Sequence, residues 1–242
     1  MEVNYIGHFV LFSANFVNVV IVNYRLLSDK WFFITIAMSE FLSQIPAFLW
    51  PVMGYLFGSI SSAVIVSKLF RLDDPRNVGS GNPGATNVLR SGNKFAAALT
   101  LLGDVLKGVL PILLAKYVGV SNGVLACVAI GAFMGHLYPL FFGFKGGKGV
   151  ATAIGVYMAL SWKLFLVFGV VWVLTAAISR YSSLASLIAS GVTGLAAFAV
   201  FNQQVELQLI GGVFWIVAFT FQRHRENIDR LRAGQEPKIG KK

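Results

Sequence analysis

The sequence predicts an all-α integral membrane protein, a bundle of seven transmembrane helices whose cytoplasmic loops form the active site. Three observations carry this. Hydrophobic residues make up 56% of the 242 positions and charged residues only 12%, against about a quarter charged in soluble domains. The mean hydropathy is +0.71, and apolar runs of bilayer-crossing length recur between short polar breaks. Lysine and arginine gather in alternate breaks, as the positive-inside rule requires.

The seven spans read in order as residues 46–70, 95–118, 121–142, 149–161, 163–180, 183–201 and 205–222. Residues 46–70 form the first long apolar run, closed by Lys68 and Arg71. The second and third spans meet at the polar corner Gly119 to Gly123. The fourth, from Gly149 to Ser161, is short for a bilayer and is expected to be tilted, bent or partly re-entrant. The last three are separated by the Arg180–Ser183 corner and by Asn202–Glu206. Residues 223–242 are a basic tail, and no soluble domain or internal repeat is evident.

Residues 1–45 are an N-terminal extension. Phe9 to Val22 is apolar but carries Asn15 and Asn18, with Asn23 just beyond. A span there would put Arg25 and Lys30 outside, against the charge rule. An interfacial helix, an extra span and sequence upstream of the true start stay open; Met38 or Met53 would begin a complete seven-helix protein. No signal peptide is expected, since a basic leader and small-residue cleavage site are not evident.

Placing residues 71–94 in the cytoplasm puts Lys68, Arg71, Arg76, Arg90, Lys94, Lys145, Lys148, Arg180 and the basic tail on that side. Only Lys116 and Lys163 fall at outer ends. The N-terminal end of the seven-helix core is then outside and the C-terminus cytoplasmic. The net charge of +10 is explained by this asymmetry, so nucleic acid is not an expected partner. The single cysteine, Cys127, permits no internal disulfide and belongs to no Cys/His metal spacing; a small core residue is expected.

Two glycine-rich basic segments carry the chemistry. Gly79-Ser80-Gly81-Asn82-Pro83-Gly84-Ala85-Thr86-Asn87-Val88-Leu89-Arg90 offers hydroxyls, amides and one guanidinium. Pro83 suits the start of a short helix from Gly84 to Arg90, whose first N–H groups would face a phosphate. A solvated turn is the plainer alternative. The second segment, Gly143-Phe144-Lys145-Gly146-Gly147-Lys148-Gly149, superficially resembles a Walker loop. Its spacing is a residue short, Gly149 stands where Ser or Thr belongs, and its flanks are helices. A flexible loop with two ammonium groups at a helix start still suits an anion. His136, just before it, is expected to make a structural hydrogen bond.

In the tail, His224 and Asp229 have the His-x4-Asp spacing of many glycerolipid acyltransferases. The Phe-Pro-Glu-Gly-like motif of that superfamily is absent. On a helix His224, Asn227 and Ile228 share one face and Arg225 and Asp229 another. His224 and Asn227 are therefore expected to face the site, with Asp229 paired to Arg225 or solvated. Asp104 and Lys107, inside the second span, are expected to pair, with Lys107 reaching the site as an alternative. A Ser-His-Asp nucleophile system is not expected, because carboxylates are few.

Ser80 to Arg90, Gly135-His136 through Lys145-Gly146-Gly147-Lys148-Gly149-Val150-Ala151-Thr152, and Arg223-His224 through Asn227-Ile228-Asp229-Arg230-Leu231 resemble the three cytoplasmic motifs of the PlsY family. These are bacterial acyl-phosphate-dependent glycerol-3-phosphate acyltransferases. The resemblance covers roughly residues 47–242; residues 1–45 depart from it, which points to an upstream start codon or a lineage-specific extension. It implies a fatty acyl phosphate donor, glycerol 3-phosphate as acceptor, and lysophosphatidic acid and phosphate as products; direct transfer without a covalent intermediate is expected, with Ser80 as an acyl-carrying nucleophile the alternative. Ser80, Arg90 and Lys148 are the implied catalytic residues. Gly81, Asn82, Thr86, Asn87, Lys145, Gly146, Gly147, Ser182, His224 and Asn227 are implied to bind substrate, with no cofactor and no metal. The implied setting is the bacterial inner membrane and its lipids. An acyl-carrier-protein:phosphate acyltransferase would act upstream and a 1-acylglycerol-phosphate acyltransferase downstream. The competing class is a transporter for phosphate compounds, against which the scarcity of polar residues within the spans argues.

Overall fold

The structure, a computed structural model, describes Met38 and residues 40–240. The N-terminal extension lies almost wholly outside the described residues. Residues 45–242 form one compact unit, helical throughout its described secondary structure. Five stretches are long and apolar enough to cross a bilayer: Leu49–Leu69, Lys94–Val118, Asn122–Phe142, Trp162–Ser179 and Ser182–Val200. Two shorter apolar helices, Val150–Leu160 and Leu207–Arg223, complete the seven.

The first span departs from the sequence reading. It is two helices, Leu49–Gly58 (α1) and Ser62–Leu69 (α2), broken at Ser59–Ser61. Ser61 is extended (φ −84°, ψ 92°), so the ladder cannot continue. Broken backbone at membrane depth needs buried partners. Ser59 Oγ donates to Tyr55 O at 2.8 Å, and Lys107 Nζ donates to Ile60 O at 2.9 Å.

A short helix, Ala85–Arg90 (α3), follows the first loop. Lys94–Val118 (α4) starts on the Asn93 cap, whose side chain accepts from Ala96 N, and ends at Gly119 in the left-handed region. Asn122–Leu137 (α5) leads through Pro139 into a 3-10 turn at Leu140–Phe142. Helix α1 packs on α5 through two small-residue pairs, Gly54/Gly58 and Gly131/Gly135. A Cβ at any of the four would run into the facing backbone, so the helices touch as closely as helices can.

Val150–Leu160 (α6) has 11 residues, about 16 Å of helix, half of what a bilayer needs. It is the short span foreseen at 149–161. Its last carbonyls are answered by Lys116 Nζ, which donates to Ala159 O at 2.6 Å and Leu160 O at 2.9 Å. Trp162–Ser179 (α7), Ser182–Val200 (α8), Leu207–Arg223 (α9) and the short Arg225–Arg232 (α10) complete the chain.

The core gathers Phe133, Leu137, Val156, Tyr157, Phe168 and Ile216, all buried. Leu102, Val173, Leu174, Ile178 and Leu195 are exposed, as suits a surface that meets lipid. Cys127 belongs to this outer surface and not to the core: it shares α5 with buried Leu125, Ala126 and Val128, but its side chain leaves the helix on the opposite side.

Candidate active site

The two glycine-rich segments and the start of the tail converge on one end of the bundle. In the first loop, Ser80 is flanked by Gly79 (φ 61°) and Gly81 (φ 67°), a conformation that glycine tolerates and side chains resist. Asn87, buried on α3, holds this loop. Its Oδ1 accepts from Ser80 N at 3.0 Å, and its Nδ2 donates to Pro75 O at 2.7 Å and Val78 O at 3.0 Å. Ser80, Gly81, Thr86 and Arg90 are exposed and Asn82 is half-buried. Arg76 joins the loop to the turn before the second segment. It is doubly bonded to Asp74 and donates to Phe142 O at 3.3 Å; its guanidinium holds the Asp74 carboxyl below the usual range.

The second segment turns sharply at Gly143 and Phe144, both at positive φ, leaving Lys145 exposed. Gly146 and Gly147 then pass so close to α5 that neither position has room for a side chain. A Cβ on Gly146 would strike His136 O, and one on Gly147 would strike His136 Nε2. Gly147 N donates to His136 O at 3.1 Å. Arg223, at the end of α9, donates to Gly146 O at 3.0 Å and Gly147 O at 3.2 Å. The Pro83 carbonyl also abuts Gly147, which brings the two glycine-rich segments into contact.

Lys148 follows this turn, half-buried, and its Nζ donates to Asn227 Oδ1. Burial, followed by the nearby Arg230 charge, lowers its pKa from the ordinary lysine value. His224 is buried, with Nδ1 at 2.7 Å from Thr220 O, so Nδ1 carries the proton and donates. Burial pushes its pKa down to about 4, which keeps the ring neutral and leaves Nε2 an acceptor.

Glu236 is the residue sequence reasoning missed. Its Oε1 accepts from Ser183 Oγ at 2.6 Å and Asn227 Nδ2 at 2.6 Å, and its Oε2 from Arg230 Nε at 2.8 Å. Burial alone raises a carboxyl, yet these hydrogen bonds bring Glu236 below its ordinary value. It locks the tail onto α8 and α10 and orients Asn227 toward Lys148. Ser183, not Ser182, makes this contact; the Ser182 side chain is half-buried beside it. Asp229 is exposed, away from His224, as the helical spacing requires. Asp104 and Lys107 pair at 2.9 Å, both buried.

The structure therefore brings Gly146, Gly147 and Lys148 together with His224, Asn227 and the first loop. Ser80 and Lys145 on the loops and Thr86 and Arg90 on α3 are exposed, and no side-chain hydrogen bond occupies them among the described residues. A cavity of about 520 Å³ opens between α2 and the 140–142 turn, with Val64, Ile65, Leu72, Arg76 and Phe142 in its lining. Gly119-Val120-Ser121-Asn122-Gly123 has the spacing of a hydrolase nucleophile turn. Ser121 is instead the cap of α5, accepting from Val124 N, at the far end of α4 from these loops.

The sequence model of the glycerol-3-phosphate acyltransferase family matches residues 48–234. A glycerol-3-phosphate acyltransferase of Francisella tularensis subsp. holarctica is 49% identical over 191 residues, 79% of this chain and 92% of its own length. One from Francisella philomiragia is 50% identical over the same extent. The crystal structure of PlsY (YgiH), an integral membrane glycerol 3-phosphate acyltransferase, in its glycerol 3-phosphate form is similar at a TM-score of 0.75 and 42% identity. That match covers 80% of this chain and 96% of the other. The lysophosphatidic acid form gives 0.74 and 40%, covering 80% of this chain and 95% of the other.

Proposed function

The chain belongs to the glycerol-3-phosphate acyltransferase family, and we propose that it takes its acyl group from a fatty acyl phosphate. The observation that carries this is the convergence of the Gly146–Gly147–Lys148 turn with His224 and Asn227, a hydrogen-bonded, partly buried cationic cluster beside an open cationic loop. Such a site is suited to two phosphate groups. It offers charge and hydrogen bonds rather than an activated nucleophile.

An acyl phosphate is a mixed anhydride with a good leaving group, so positioning and charge stabilisation suffice. The sn-1 oxygen of glycerol 3-phosphate attacks the acyl carbonyl, forming the ester C–O bond. The anhydride C–O bond breaks, and the departing phosphate takes the hydroxyl proton. The products are 1-acyl-glycerol 3-phosphate and inorganic phosphate, and the enzyme carries no acyl group in between. Ser80, Asn82, Thr86, the Gly146 N–H and Lys148 hold the acyl-phosphate head, and Gly147, whose N–H is spent on His136 O, gives the turn its shape. Arg90, Lys145, Ser182, His224 and Asn227 hold glycerol phosphate, with Gly81 and Asn87 shaping the first loop. His224 contributes an acceptor at Nε2 for a substrate hydroxyl. The acyl tail lies in an apolar groove open to lipid.

The basic face is then cytoplasmic, and the protein sits in the bacterial inner membrane with its C-terminus inside. Its donor must be supplied by an enzyme that transfers acyl groups from carrier protein to phosphate. Its product would be acylated again by a 1-acylglycerol-phosphate acyltransferase. The test is purified protein with glycerol 3-phosphate and, in parallel, palmitoyl phosphate, palmitoyl-CoA or palmitoyl-carrier protein. Turnover with palmitoyl phosphate alone, lost in Ser80→Ala, Arg90→Ala and Lys148→Ala, is the expected result. Turnover only with thioesters overturns the donor assignment, and a trapped acyl group on Ser80 overturns direct transfer.

A further inference from the structure

A chain of buried polar groups runs from the break in the first span to the second glycine-rich turn. Lys107 and Asp104 face each other on α4, 5% and 2% exposed, with Nζ 2.9 Å from Oδ1. Lys107 also donates to Ile60 O at 2.9 Å, the carbonyl freed between α1 and α2. His136, on the last turn of α5 and 6% exposed, brings Nδ1 to 3.6 Å from the same Asp104 oxygen. That is beyond a hydrogen bond; Nδ1 has no hydrogen-bond partner among the described residues, and Asp104 Oδ1 has only its ion pair with Lys107. The other edge of the ring lies under Gly147, where a Cβ would collide with Nε2.

Holding helices together does not require this. Burying ions in an apolar span is costly, and replacing a buried pair by apolar residues of similar size is often neutral or stabilising. What the charges add is direction. Lys107 anchors Asp104, Asp104 attracts the Nδ1 edge of His136, and the imidazole is fixed beneath the turn that presents Lys148. Arg223 holds the carbonyls of the same turn. The turn is thus gripped by a guanidinium at its carbonyls and by His136, whose O accepts from Gly147 N at 3.1 Å and whose Nε2 fills the place a Gly147 side chain would take.

We propose that Lys107, Asp104 and His136 are positioning residues for acyl transfer, fixing the Gly146–Gly147 turn and, through it, Lys148 and the phosphate it holds. They act through the turn and do not touch substrate. The proposal rests on the reading that this turn binds a substrate phosphate.

The test uses the full chain in detergent, with palmitoyl phosphate and glycerol 3-phosphate. For each variant kcat, the KM of each substrate and the thermal unfolding midpoint are measured. The central variant is Asp104→Leu/Lys107→Met, which removes the ion pair and keeps the volume. It also strands Ile60 O, so its midpoint is expected to fall as that of Lys116→Met does, and the rise in the KM of a phosphate substrate, at least about tenfold, is what sets it apart. His136→Asn, which keeps a donor on the Nδ1 side, is expected to recover most of what His136→Ala loses. Lys116→Met, at the other end of α4, is the control for a purely structural role: a lower midpoint with unchanged KM. A folded double variant with parental constants overturns the proposal. If the double variant does not fold, the His136 pair decides, and equal activity in Asn and Ala variants overturns it. A parent that turns over only with thioesters would defeat the donor reading, and the KM for glycerol 3-phosphate would still test the positioning chain.

Discussion

Lys148 Nζ donates a hydrogen bond to Asn227 Oδ1 across 79 positions of sequence, and this one bond joins the second glycine-rich turn to α10. An ammonium has three N–H donors. One is spent on Asn227, which leaves the others aimed from a fixed root. Because Asn227 is itself held by Glu236, the direction of Lys148 is set by the tail.

Lys148→Met is therefore expected to lower kcat/KM by about a hundredfold or more, the scale of losing an oriented donor in a partly dehydrated site. Asn227→Leu leaves the charge but frees its direction, and should cost about tenfold or more. Asn227→Asp would pair with Lys148, yet set a carboxylate against Glu236 and an incoming phosphate. Steady-state kinetics with both substrates varied should show it raising KM more than Asn227→Leu does.

Glu236→Gln tests the lock. The folded carboxyl titrates below its ordinary value of 4.5, so its stabilisation is full above that value and lost as pH falls through the folded pKa. The Gln variant should be less stable at neutral pH by about 2 kcal/mol, the weight of hydrogen bonds to a charged acceptor. It should also lose part of the parental acid dependence. Unfolding midpoints between pH 3 and 8 in detergent check both; a variant with the parental acid slope would assign that slope to other carboxylates.

His224 should titrate far from the usual histidine range. Its ring is held neutral, with a pKa pushed down from 6.5 to about 4 by burial. The unfolded chain binds the proton more readily between these values, so stability rises with pH across that window and is complete above it. NMR of labelled histidine in detergent should give a midpoint near 4 for His224. A midpoint near 6.5 would mean the ring is solvated and that Nδ1 is not committed to Thr220.

The glycine-rich segments were legible because their residue types are unusual between apolar runs, and Gly146 and Gly147 sit where no side chain fits. The facing of His224 and Asn227, with Asp229 exposed, followed from helical spacing alone. Glu236 was not legible, because a carboxylate in a basic tail reads as a solvated partner for any of several arginines. The break at Ser59–Ser61 was hidden by Ile60, which keeps the run apolar while its carbonyl is satisfied 47 positions away by Lys107. Side-chain type also announces hydrogen-bonding capacity without direction. The Asn87 amide belongs to a segment rich in ligand-like groups, yet three of its bonds are spent on the loop itself.

That arrangement makes Asn87 a test of how the first loop works. Asn87→Ala strands Ser80 N, Pro75 O and Val78 O, each at about 1–3 kcal/mol where water cannot replace the partner. The loop would relax and Ser80 would lose its fixed position, so kcat/KM should fall by about tenfold or more. Asn87→Asp keeps the acceptor for Ser80 N but loses both donors and turns a carboxylate toward two carbonyls, so it should be at least as damaging. Combination with Ser80→Ala separates a role through Ser80 from an independent one. If Asn87 acts by placing Ser80, the double variant should be no slower than Ser80→Ala alone, because the effects of residues acting as a unit are not additive. If the two losses multiply, Asn87 contributes to the site by a route other than the Ser80 backbone bond.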